Sequence, residues 1–233
     1  MVEVKDCWLK DTCLRYGNCE SFCMKLFKLD QLYEKALVSL NLRKHVNLRP
    51  DGNGTDREEF KQLKSFTDNI EEFVNSGKCL YIHSNTTGNG KTSWALRFIE
   101  AYLNAIWWKS DLKCRALYIS VPRFILALKE NISTPSSYVE YINSNVFEAD
   151  LVVLDEVGIK TATTFEMEHL LNIVNQRVEL GKSTIYTSNL ADSELKEKLG
   201  SRLYSRIVNY SYNIELCGID KRGLFDRWFK HKH

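Results

Sequence analysis

The chain has 233 residues, with 32 Lys and Arg against 30 Asp and Glu, and is 44% hydrophobic and 27% charged. Eleven Phe, eleven Tyr and five Trp against three Pro exclude a disordered chain, and the near-neutral balance excludes a strongly basic nucleic-acid coat protein. No apolar run approaches the ~20 residues needed to span a bilayer, and MVEVKDCWLKD lacks the apolar stretch of a signal peptide, so the expectation is a cytoplasmic protein with no membrane contact.

In a reducing compartment the seven Cys read as thiols or metal ligands, not as disulfides. Cys7, Cys13, Cys19 and Cys23 crowd the N-terminus and supply enough soft ligands for one closed tetrahedral Zn²⁺ site. Cys19 and Cys23 are four residues apart, so on a helix their sulfurs face the same way. A metal would also explain how so short a region folds without core residues of its own. Reduced structural thiols are the competing reading. Cys79, Cys114 and Cys217 are scattered through strand-like segments, where Cys is a small buried hydrophobe.

Leu26, Leu29, Leu32, Tyr33, Ala36 and Leu40 follow at helical spacing. NLRKHVNLRPDGNGTD, with Pro50, Gly52 and Gly54, breaks the periodicity and reads as a linker. A second helix is expected from Thr55 or Asp56, with Glu58 and Glu59 suited to its dipole, Phe60, Leu63, Ile70, Phe73 and Val74 on one face, and Gly77 as its stop. This divides the chain into a cysteine-rich module over 1–45, a linker and helix over 46–76, and a nucleotide-binding domain over 77–233.

From Lys78 short apolar runs alternate with helical segments. CLYIH, CRALYIS, LVVLD, STIYTS and YNIEL read as strands. TSWALRFIEAYLNAIWW, VPRFILALKEN, a stretch around SSYVEYINS and EMEHLLNIVNQRVELG read as helices. The alternation predicts a parallel sheet covered on both faces, a three-layer α/β fold.

Between the first strand and the long helix lie Asn85, Thr86, Thr87, Gly88, Asn89, Gly90, Lys91, Thr92 and Ser93. They match the phosphate-loop pattern G-x-x-x-x-G-K-[ST] except at its first position, where Asn85 replaces Gly. Asn is among the residues best able to enter left-handed backbone conformations, so the replacement is mild. Backbone N–H groups and the helix N-terminus would cradle ATP or ADP phosphates. Lys91 would reach the β/γ-phosphates, and the Thr92 hydroxyl would hold Mg²⁺. LVVL-Asp155-Glu156 is an apolar strand ending in two acids. Asp155 takes the Mg²⁺ role and Glu156 that of general base on the attacking water. The fourth strand ends at Asn189, placed to orient that water or to cap the next helix.

SNTTGNGKTSWAL, ADLVVLDEVG, STIYTSNL, LGSRLYSRI and GIDKRG, in this order, resemble the DnaC/DnaI-type replicative helicase loaders of the AAA+ superfamily, especially phage-encoded versions. Related IstB-type transposition ATPases share much of this core. The resemblance implies an AAA+/ASCE P-loop sheet and an ATPase that delivers a hexameric DnaB-type helicase onto DNA. It implies that Arg206, with Arg202 as second candidate, is an arginine finger reaching a neighbouring subunit's nucleotide in an ATP-bound homo-oligomer. It implies that Arg222 acts on the chain's own nucleotide, that the segment of Arg123 and Lys129 touches single-stranded DNA, and that the N-terminal zinc module docks the helicase. The terminal FDRWFKHKH either contacts DNA or covers the sheet. The alternatives are a transposition helper ATPase and a non-catalytic protein that sequesters a host helicase or loader. The expected setting is the cytoplasm of a bacterium, or of a bacterial host if phage-encoded.

Overall fold

The computed structural model describes residues 7–10, 13–14, 22–43, 48–50, 54–158, 163–218 and 220. The chain opens with α1 (Met24–Lys35), a 3₁₀ turn (Leu40–Leu42), α2 (Arg57–Asp68) and α3 (Ile70–Asn75). It continues through β1 (Cys79–His83), α4 (Lys91–Ile106), β2 (Ala116–Ser120), α5 (Val121–Asn131) and α6 (Ser137–Asn145). It then runs through β3 (Leu151–Asp155), α7 (Thr164–Glu179), β4 (Ser183–Ser188), α8 (Asp192–Asn209) and β5 (Ser211–Glu215). The helix expected up to Gly77 is two helices, broken at Asn69, whose φ of −113° and ψ of 39° leave the helical region.

The strands form one sheet in the order β2-β3-β4-β1-β5, every neighbouring pair parallel. Successive strand residues point to opposite faces, and the two faces bury separate clusters. Leu80, Ile82, Ala116, Leu151, Val153, Ile185 and Ile214 meet residues of α1 to α4. Tyr81, Leu117, Ile119, Val152, Leu154 and Tyr186 meet residues of α5 to α8. β1, β3 and β4 are buried along their whole length, as strands are in a sheet covered on both sides.

The described part of segment 1–45 shares this core. Leu9, Leu29, Leu32, Tyr33, Ala36 and Val38 belong to the same buried cluster as Trp94, Phe98 and Leu103 of α4. The end of α1 is also tied by polar bonds, from Tyr118 N–H to Ala36 O at 2.9 Å and from the Tyr141 hydroxyl to Lys35 O at 2.8 Å. The Arg43 guanidinium pairs with Asp30 at 2.9 Å and lies over the Tyr33 ring, while Trp8 Nε1 donates to the same carboxylate at 2.7 Å. The segment therefore has core residues after all, and it draws them from a shared core. Among the described residues, no helix is long and apolar enough to cross a membrane.

Candidate functional site: a phosphate loop facing a clamped carboxylate

The loop after β1 is held by its own side chains. The buried Asn89 amide donates to Ser84 Oγ at 2.6 Å and to Leu216 O at 2.8 Å, just beyond β5. Lys91 Nζ donates to Thr86 O at 2.7 Å and Asn89 Oδ1 at 2.9 Å, so the ammonium folds onto the loop it belongs to. Gly88 and Gly90 have φ of +75° and +104°, conformations that L side chains resist. Gly88 is also crowded, because a Cβ there would come within 1.9 Å of Asp220 Oδ1. Asn85, Thr86 and Thr87 are exposed along the loop, and Ser93 lines a small cleft with Tyr33, Arg43 and Arg97.

Opposite the start of α4, the β3 strand ends in Asp155, which is buried. The period of two places Val153 and Asp155 on the α4 side of the sheet, and Thr92 Oγ1 donates to Asp155 Oδ1 and Oδ2 at 3.0 and 3.2 Å. Thr187 Oγ1 donates to Asp155 Oδ1 at 2.6 Å, and the Tyr118 hydroxyl to Oδ2 at 2.7 Å. Burial, then the adjacent Asp155 charge, pushes the Tyr118 phenol far above its usual range, which keeps it a donor. The next residue, Glu156, has a φ of +64°, rare for a residue with a Cβ. Its N–H donates to Thr187 Oγ1 at 2.9 Å, and Val157 N–H to Thr187 O at 2.8 Å. Asn189 is half-buried one residue past β4.

The loop and Asp155 thus meet at the carboxyl ends of β1 and β3, where ligands bind in open α/β sheets. Thr92 and Asp155 present hard oxygen donors side by side, a set that fits Mg²⁺. Arg202 and Arg206 lie elsewhere, in an open groove lined also by Leu171, Asn175 and Tyr210. Gly200, with φ 72° and ψ 158°, breaks α8 two residues before Arg202, and Arg206 Nη1 donates to the Tyr210 hydroxyl at 3.1 Å. Arg123 stacks on the Tyr138 ring at 4.6 Å, and Lys129 lies 3.4 Å from the buried Glu166 carboxylate. Arg222 and the FDRWFKHKH tail lie outside the described residues.

The expected zinc site finds no support among the described residues. Cys19 lies outside the described residues, and among those described no group of three His, Cys, Asp or Glu is arranged to hold a metal ion. The other three cysteines have local tasks. Cys23 Sγ accepts the Leu26 N–H at 3.4 Å as the N-cap of α1, and Cys7 and Cys13 pack half-buried against the shared core. The described residues thus give no support to a Zn²⁺ site, and α1 is held by core contacts of its own.

Asn89, Tyr118 and Thr187 were not singled out for these tasks by the sequence. For Tyr118 and Thr187 the signal available was a hydroxyl side chain within two residues of a strand end, which alone is too common to read.

A family model described as an IstB-like ATP binding protein matches residues 53–216. The replicative helicase loader DnaC of Escherichia coli K12 is 26% identical over 146 residues, which are 62% of this chain and 53% of that protein. The chain thus spans about half the length of this curated relative. The crystal structure of the DnaC helicase loader superposes with a TM-score of 0.56 at 21% identity, over 72% of this chain and 93% of that one. That of DnaI gives 0.55 at 22%, over 82% and 93%. At these identities the two structures speak for the fold.

Proposed function

Because the chain belongs to the IstB-like ATP binding proteins, we propose that it is an AAA+-type ATPase that loads a DnaB-type replicative helicase onto DNA. The observation that carries the ATPase reading is the pairing of Thr92 with Asp155 across α4 and β3, with β4 interposed between β1 and β3. The loader reading is supported by the likeness to DnaC, which also favours it over a transposition helper or a sequestering protein.

In this reading the backbone N–H groups from Thr86 to Lys91 hold the phosphates, and Lys91 leaves Thr86 O and Asn89 to meet their charge. Thr92 and Asp155 would hold Mg²⁺, which would neutralise phosphate charge there. Glu156 takes a proton from the attacking water, and Asn189 orients that water. Arg206, with Arg202 beside it, presents its guanidinium to the nucleotide of a second copy, so assembly and hydrolysis depend on each other. Arg222 acts on the chain's own nucleotide. Arg123 and Lys129 contribute to a single-stranded DNA surface, and segment 1–45 docks the helicase. Exposed Phe22, Met24 and Phe27 on that segment suit such a contact.

The test is capture of a purified DnaB-type helicase by wild-type protein and by Glu156→Gln, with and without ATP. Loss of a positioned general base should slow hydrolysis about 10²–10⁴-fold while nucleotide binding and helicase capture persist. ATP hydrolysis without helicase capture would leave an ATPase that is not a loader. Undiminished hydrolysis by Glu156→Gln would remove Glu156 from the role of base.

A further inference from the structure

We propose that Tyr118 is a positioning residue of the nucleotide site: with Thr187 it clamps the Asp155 carboxylate from both neighbouring strands and fixes the edge it turns to Thr92 and the metal. This deepens the ATPase reading and rests on it.

The sheet order puts β3 between β2 and β4, so Asp155 has a neighbour on each side. Parallel register pairs Ser120 with Asp155 on one side and Leu154 with Tyr186 on the other. Tyr118 lies two residues before Ser120, and Thr187 one residue after Tyr186. By the strand period both side chains therefore share the α4 face with Asp155, and each hydroxyl reaches a different carboxylate oxygen, Oδ2 at 2.7 Å and Oδ1 at 2.6 Å. Holding both oxygens fixes the rotation of the carboxylate plane, which one donor would leave free. The Thr92 hydroxyl adds a third donor, shared between the two oxygens.

An ionised carboxylate offers about four acceptor sites. Tyr118 and Thr187 take one on each oxygen, and the Thr92 hydroxyl spans the remaining pair, so the edge turned to Thr92 is the one a metal or one of its waters would share. Packing explains the Tyr118 ring, which rests half-buried against the core beneath α4. Packing does not explain its hydroxyl, because a phenylalanine ring would fill the same space. Thr187 has a second task, since its oxygen also accepts the N–H of Glu156, whose left-handed backbone needs a restraint. The clamp therefore couples the metal-side carboxylate to the proposed base.

The experiment uses the full chain, ADP at fixed concentration and Mn²⁺ as a paramagnetic probe read by electron paramagnetic resonance. ADP affinity in EDTA and the melting temperature are measured alongside. Tyr118→Phe should raise half-saturating Mn²⁺ about tenfold, the scale of one hydrogen bond to a charged group, and leave ADP affinity in EDTA unchanged. In turnover it should lower kcat while KM for ATP at saturating metal stays put. Thr187→Val should act in the same direction, and Thr187→Ser, which restores the hydroxyl, should recover wild-type Mn²⁺ binding; this pair decides the matter if Tyr118→Phe does not fold. Equal or tighter Mn²⁺ binding by a folded Tyr118→Phe or Thr187→Val protein overturns the inference and leaves the ATPase reading standing. A wild-type protein that binds no ADP overturns the ATPase reading and this inference with it.

Discussion

Cys23 occupies the position at which helices most often carry serine or threonine, with its sulfur accepting the Leu26 N–H at the start of α1. Sulfur is a weak acceptor, whereas a serine oxygen at an N-cap is among the best. Cys23→Ser should therefore keep the fold and leave the melting temperature the same or slightly higher, with a gain of up to about 1 kcal/mol. A zinc ligand would behave in the opposite way, because losing it would unfold its module. Thermal melting of the variant, followed by circular dichroism, separates the two. Asn89 shows a similar division between type and task. Its place in the phosphate loop was legible, but its bonds to Ser84 and Leu216 depend on where β5 ends.

At the scale of elements, two helix endings meet beneath the sheet. Gly77 follows α3 and leads into β1, and Gly181 follows α7 and leads into the adjacent β4. Both have positive φ, +65° and +61°. Both endings make the paired backbone bonds of a Schellman turn, Lys78 N to Phe73 O and Gly77 N to Val74 O in one, Lys182 N to Arg177 O and Gly181 N to Val178 O in the other. Their surroundings differ. A Cβ at Gly77 would lie 2.4 Å from the Gly181 carbonyl oxygen, whereas one at Gly181 meets nothing within 4 Å. Gly181→Ala should cost about 1–2 kcal/mol, the left-handed penalty alone. Gly77→Ala should cost clearly more, since backbone must also move, and urea unfolding of the two variants checks the order. An equal cost would mean that the two turns separate easily.

At the scale of the molecule, α1 joins the sheet's core, and Leu32, buried with the α4 residues, reports on that union. Leu32→Ala should destabilise by about 2–5 kcal/mol and lower a single melting transition seen equally by the N-terminal Trp8 and by nucleotide binding. Two separate transitions, with nucleotide binding untouched, would restore an insulated N-terminal module. The groove between α7 and α8 sets a second expectation at this scale. Arg206→Ala should weaken assembly or hydrolysis with nucleotide affinity intact. Mixed with Lys91→Ala it should regain part of the activity, because the proposed target of Arg206 lies on another copy. No recovery at any ratio in the ATPase assay counts against action between subunits.

The order of strands and helices was legible from residue 78 onward because each element carries a period, and a period is local information. The phosphate loop and the Asp155–Glu156 strand end were legible for the same reason, being short runs whose chemistry depends on adjacent residues. Partnerships between distant residues were not. Four cysteines close together in sequence suggested one metal site, and only the structure shows that Cys23 caps a helix while Cys7 and Cys13 pack on the shared core, since proximity along a chain does not set the direction of a side chain. Arg177 carried no signal. Only the folded chain makes it a fully buried guanidinium that donates to Val146 O, Ala149 O, Ser183 O and Thr184 Oγ1, with burial lowering its pKa to about 10. The same holds for the hydroxyls that clamp Asp155. Sequence alone determined that a carboxylate would end β3. Tertiary structure decided which strands flank it, and so which donors hold it, because sheet order is settled by the packing of the whole chain and is not written in any single segment.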